Sequence, residues 1–199
     1  VVNHTAVGKK GKQDYRSEKL EVALSTKIAA ATDDAGDDYG AAFNQIDMLG
    51  GLNLHEAGYM GQGMLIAVLD AGFPNVNTLS VFDSLHANNR LISTWDFVAQ
   101  NDSVYNDHPH GQLVLSTMAA YEPGVMIGTA PKASYILLRT EDANIEFPIE
   151  EDYWVAGAEY ADSAGADIIN SSLGYTTFLN SVYDHTYSDL DGNTTHAAI

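Results

Sequence analysis

The chain reads as an α/β protein built on a doubly wound, mainly parallel sheet in three α/β/α layers, and three observations predict it. Apolar runs of strand length recur around 64–69, 91–95, 134–140 and 168–171. Segments with helical apolar spacing lie between them, at 110–120 and 149–164. The first run, Met64-Leu65-Ile66-Ala67-Val68-Leu69, is continuous rather than alternating, as a strand buried on both faces requires. Parallel pairing needs crossover connections, and the helical segments supply them.

Taken in order, residues 1–38 have few large apolar side chains and end in a cluster of Ala, Asp and Gly, which predicts a leader or linker. The domain, 39–199, then opens with Ile46, Met48, Leu49, Leu52 and Leu54, enough for one or two short helical turns before Gly58. Asp70 ends the first strand. A carboxylate directly after a buried apolar run is costly unless partnered, and ligand sites in open α/β sheets lie at the carboxyl ends of strands. A second strand, around Leu91, Ile92 and Trp95, leads into a polar loop over 100–108. Leu113, Val114, Met118 and Ala119, with small residues between them, predict a closely packed helix that has His110 in its first turn. After the third strand, Pro148 and the acidic Glu150, Glu151 and Asp152 mark a helix start that the macrodipole favours. Ile149, Tyr153, Ala156, Tyr160 and Ala164 give that helix an apolar stripe, and Gly165 ends it. Ile168-Ile169-Asn170-Ser171 is the fourth strand, and Asn193 is placed to cap another helix near Thr194.

The 199 residues carry 27 acidic against 9 basic side chains, a formal charge of -18, which argues against nucleic acid or an anionic membrane as partner. Residues 1–27 run the other way at +3, leaving -21 on the remainder. A basic leader before an acidic body is either a strap held partly by charge or a solvated tail. There is no cysteine, hence no disulfide framework or thiol chemistry, and no apolar stretch approaches the length of a membrane span. No signal sequence opens the chain, so a mature or trimmed form is expected.

Three patterns occur in order: Val68-Leu69-Asp70-Ala71-Gly72, His110-Gly111-Gln112-Leu113-Val114, and Ile168-Ile169-Asn170-Ser171-Ser172-Leu173-Gly174. With the lead-in over 39–63 and Gly128-Thr129-Ala130-Pro131-Lys132-Ala133, they resemble the subtilisin family of serine proteases over residues 39–174. The resemblance implies that Asp70 is the triad aspartate and His110 the general base. It implies also that Ser172, Leu173 and Gly174 pair with an extended peptide substrate, Ser172 not being the nucleophile. A serine hydroxyl is a poor nucleophile at neutral pH, so an imidazole must take its proton while a carboxylate orients that imidazole.

The chain departs from the family pattern in places. Ala71 replaces a common hydroxyl residue, and Gln112 and Leu113 stand where threonine and a second histidine are frequent. No segment matches the family's nucleophilic serine or oxyanion asparagine. The expectation is therefore a serine endopeptidase, secreted or cell-surface and bacterial, represented here by a shortened form or one piece of a nicked enzyme. Such a piece is inactive alone and is partnered by peptide or protein substrate and by the C-terminal remainder of its own domain. The alternative is a non-catalytic peptide-binding module of the same fold. No cofactor is expected. A metal site at Asp107, His108 and His110 is a weak pattern, and Asp189-Leu190-Asp191-Gly192-Asn193, which has the hard oxygens of a short calcium loop, reads better as a polar turn. The acidic group Glu141, Asp142, Glu146, Glu150, Glu151 and Asp152 fits either a solvated helix entrance or a preference for basic peptides.

Overall fold

The computed structural model describes residues 38–175 and 177–184. The leader, the calcium-like turn and the helix expected near Thr194 lie outside these residues, apart from Asp38. Two short helices, α1 (Phe43–Met48) and α2 (Gly51–Glu56), precede β1 (Leu65–Asp70). A 3-10 turn (Ser80–Phe82) runs into α3 (Asp83–Ala87), followed by β2 (Leu91–Asp96). Helix α4 (His110–Ala119) leads to a small hairpin of β3 (Tyr121–Glu122) and β4 (Met126–Ile127). Then come β5 (Ser134–Arg139), α5 (Ile149–Ser163) and β6 (Ile168–Ser171).

The four long strands form one parallel sheet in the order β2-β5-β1-β6. Both faces of its centre are buried, which is why β1 and β5 are continuous apolar runs. Ile66 and Val68 of β1 join Tyr135 and Leu137 of β5 in a core closed by Leu115 and Ala119 of α4. The alternate residues, Ala67, Leu69, Ile136 and Leu138, face Ala161 and the flanking Trp154, Ala158 and Tyr160 of α5. One helix layer thus covers each face, as the doubly wound arrangement requires. A third cluster of Tyr39, Ala42, Ile46 and Ile127 packs the entry segment against the hairpin. There the buried His55 accepts a hydrogen bond from Tyr39 Oη at Nδ1 (2.9 Å) and donates through Nε2 to the Thr129 carbonyl (2.9 Å).

The buried face of α5 is rotated from the expected stripe. Ile149 is exposed, whereas Glu150, Gly157 and Ala161 are buried. Close approach explains the rotation: a Cβ at Gly157 would lie 2.8 Å from Thr140 Cγ2 and 3.2 Å from Leu69 Cδ2, so the helix turns its small residues to the sheet. Helix α3 and the β3/β4 hairpin, absent from the sequence reading, are too short to show a period. Strand β6 forms an edge, with Ile168 49% and Ile169 39% exposed.

Leu137 is fully buried at the sheet centre. Leu137→Ala is expected to cost about 2–5 kcal/mol of stability, measured by denaturant unfolding, because the packed neighbours cannot collapse fully into the space.

Candidate active site

Asp70 and His110 are brought together at the carboxyl end of the sheet. Asp70 closes β1, and its carboxylate is buried, with a side-chain exposure of 2% against 46% for His110. His110 opens α4, whose apolar side anchors it to the core through Leu115 and Ala119. The imidazole Nδ1 lies 2.9 Å from Asp70 Oδ1 and 3.0 Å from Oδ2. A carboxylate only accepts, so this contact places a proton on Nδ1, and in the neutral imidazole the lone pair is then on Nε2. Asp70 Oδ1 also accepts the backbone N–H of Ala71 at 2.7 Å. That bond partners the carboxylate even though residue 71 has no hydroxyl.

Two glycines permit this approach. A Cβ at Gly111 would sit 2.5 Å from the Gly72 carbonyl oxygen and 2.8 Å from Asp70 Cβ. Gly72 has φ +142°, and a side chain there would meet the Asn106 carbonyl oxygen at 2.5 Å. No larger residue fits between the strand end and the helix start.

A cavity of about 230 Å³ is lined by Asp70 and His110 and by the expected substrate stretch, Ser172, Leu173 and Gly174. The structure therefore gathers all five residues singled out from sequence around one space. Leu113 points away to solvent at 57% exposure. The Asp107, His108 and His110 metal pattern is not assembled: Asp107 pairs with Arg139 at 3.1 Å, and His110 Nδ1 is taken by Asp70. Among the described residues no cluster of three or more His, Cys, Asp or Glu is arranged to hold a metal ion.

The sequence reading missed a second polar constellation in the same region. Arg139, buried at the end of β5, donates from Nη1 to Asp96 Oδ2 at 3.0 Å and from Nε to the Glu141 carbonyl at 3.1 Å. The signal was present, since Arg139 ends an apolar strand just as Asp70 does, and the two face each other in the β1/β5 register. Beyond it, Glu141 accepts hydrogen bonds from Tyr175 Oη and Thr140 Oγ1. Glu150, read from sequence as a helix-dipole charge, turns inward and accepts the N–H groups of Asp142 (2.8 Å) and Phe147 (3.2 Å), pinning the loop between β5 and α5. Burial raises the Glu150 carboxyl against these hydrogen bonds, which lower it. The Glu141 carboxyl is pushed up to about 8, chiefly by burial and further by the charges of Glu150 and Glu146, while its Tyr175 and Thr140 bonds oppose the rise. Burial and the Glu141 contact likewise raise the Tyr175 phenol.

A carboxyl raised above its ordinary value of 4.5 contributes stability that is full below that pH and lost as pH climbs through about 8. Glu141→Gln keeps an acceptor for Tyr175 and cannot ionise. Its denaturation midpoint is therefore expected to gain on the parent between about pH 5 and 8, and an unchanged difference across that range would contradict this.

Residues 61–198 match the model of the Subtilase family, peptidase S8. Subtilisin E of Bacillus subtilis is 31% identical over 140 residues, covering 68% of this chain and 34% of that protein. Thermitase of Thermoactinomyces vulgaris is 31% identical over 123 residues, covering 58% of this chain and 39% of that protein. The chain thus spans about a third of the length of the curated relatives it matches. Among solved structures, fervidolysin from Fervidobacterium pennivorans, a keratinolytic enzyme related to subtilisin, is alike in fold with a TM-score of 0.55 at 21% identity, over 80% of this chain and 24% of that one. The family match runs through the strand that ends in Asp70 and the helix that begins at His110, and on that ground the chain belongs to the subtilase family of serine peptidases.

Proposed function

We propose that the protein is a serine endopeptidase in which Asp70 and His110 form the proton-transfer pair. The contact between the buried Asp70 carboxylate and His110 Nδ1, at the mouth of a cavity shared with Ser172, Leu173 and Gly174, carries this reading. In this mechanism Nε2 of His110 takes the proton of an attacking serine hydroxyl as the Oγ–C bond to the scissile carbonyl forms. Asp70 stabilises the resulting imidazolium, which then protonates the leaving amine, and water later repeats the cycle on the acyl-enzyme. The substrate backbone lies along Ser172, Leu173 and Gly174 as an added strand, where main-chain groups and the small Gly174 matter most.

The nucleophilic serine and the oxyanion donor are supplied from outside these 199 residues, so the chain alone is inactive. Exposed Ile168 and Ile169 on the edge strand β6 support the companion expectation that another part of the same domain covers that edge. Secretion or display at the bacterial surface is proposed from the family. No described helix is long and apolar enough to cross a membrane.

In the full-length protein, His110→Ala is expected to lower peptide cleavage about 10⁴-fold or more with peptide binding kept, because the serine loses its base. Unchanged cleavage would remove the assignment. Binding without cleavage in both the parent and the variant would favour a peptide-binding module.

A further inference from the structure

His110 must be delivered to Asp70 by the segment that precedes α4. Val104 ties that segment's beginning to the site by accepting the Phe73 N–H at 2.8 Å, and Pro109 accepts the Leu113 N–H at 3.1 Å inside the first turn of α4. Between them, residues 105–108 make no backbone hydrogen bond to the rest of the described residues. Within this gap Asp107 holds a left-handed backbone, φ +64°, that an L-residue adopts only at a cost. Its carboxylate reaches Arg139 Nη1 at 3.1 Å. On the other side the segment is pressed against Gly72, next to the Asp70 strand end.

Arg139 is suited to act as a fixed post. Its side chain is 6% exposed, and it is held by Asp96 at the end of β2 and by the Glu141 carbonyl, with Asp142 at 3.8 Å. Its Cα pairs in register with that of Asp70 across the β1/β5 ladder, and the Thr140 N–H donates to the Asp70 carbonyl at 3.0 Å. The residue that anchors the histidine segment is thus set in the same ladder as the residue that receives the histidine.

We propose that Arg139 is a positioning residue for the Asp70 and His110 pair, acting through its ion pair with Asp107 to seat the segment that delivers His110. The planar guanidinium serves several acceptors in fixed directions, which a lysine ammonium would not. The inference rests on the reading of Asp70 and His110 as the proton-transfer pair only for its kinetic consequence; the seating itself is a property of the ground state.

The test uses the full-length protein with Asp107→Gly, which removes the carboxylate without a left-handed penalty, and Asp107→Asn, which keeps an acceptor toward Arg139. Cleavage kinetics are measured beside the far-downfield proton resonance of the imidazole-to-carboxylate hydrogen bond. Asp107→Gly is expected to lower kcat about tenfold or more with KM held within about twofold and to weaken the downfield resonance, since small misplacements of a reacting group cost rate steeply. Asp107→Asn is expected to recover most of both. Arg139→Met should reproduce the Asp107→Gly loss; if it fails to fold, the Asp107 pair decides the matter alone. A kcat within about twofold of the parent with the resonance intact would overturn the proposal, as would a raised KM at constant kcat. If the unsubstituted protein cleaves nothing, the protease reading fails separately. The resonance then decides the seating, and its retention in Asp107→Gly overturns it.

Discussion

A sheet buried on both faces can hold charge only at its strand ends, and there each charge must be partnered. Asp70 and Arg139 meet that requirement side by side in the β1/β5 register. Asp70 is satisfied by His110 and by the Ala71 N–H, and Arg139 by Asp96, Asp107 and the Glu141 carbonyl. Removing Asp96 from the buried Arg139 pair would strand a buried charge, a penalty of about 3–5 kcal/mol for a typical pair. Everything at the carboxyl edge is arranged around these two needs.

The arrangement couples fold to chemistry. The helix that covers one face of the sheet begins at His110, so core packing of Leu115 and Ala119 also fixes the imidazole. Gly72 and Gly111 bring the helix start within contact of the strand end. On the opposite face, Gly157 lets α5 lie close to Leu69 and Thr140, and buried Glu150 at the start of α5 holds the preceding loop, which edges the cavity. The site is therefore built from both helix layers, with the sheet edge between them.

Much of this was legible in the sequence because the signals were long or chemically costly. The continuous run before Asp70, of strand length and bounded by glycines, fits a doubly buried strand, and the spacing after His110 fits a closely packed helix; the fold contains both. The buried face of α5 was misread because a glycine contact outweighed the larger side chains that define an apolar stripe. Glu150 stands in the first helical turn as the sequence indicates, but its burial and its bonds to the loop N–H groups were not legible, because a carboxylate there reads simply as a dipole charge. Arg139 went unread although it carries the same signature as Asp70. Its partners, Asp96 and Asp107, lie 43 and 32 residues away in sequence; sheet order brings Asp96 to it, and the loop before α4 brings Asp107.

The central claim, that Asp70 and His110 serve a serine nucleophile located outside these 199 residues, is tested most directly by covalent labelling. The full-length protein would be treated with a fluorophosphonate and the labelled residue located by peptide mass spectrometry, with this 199-residue chain treated in parallel. The account predicts a single labelled serine outside the 199 residues, its labelling lost in His110→Ala, and no labelling of the chain alone. Absence of label from the full-length protein, or label on Ser172, would contradict it.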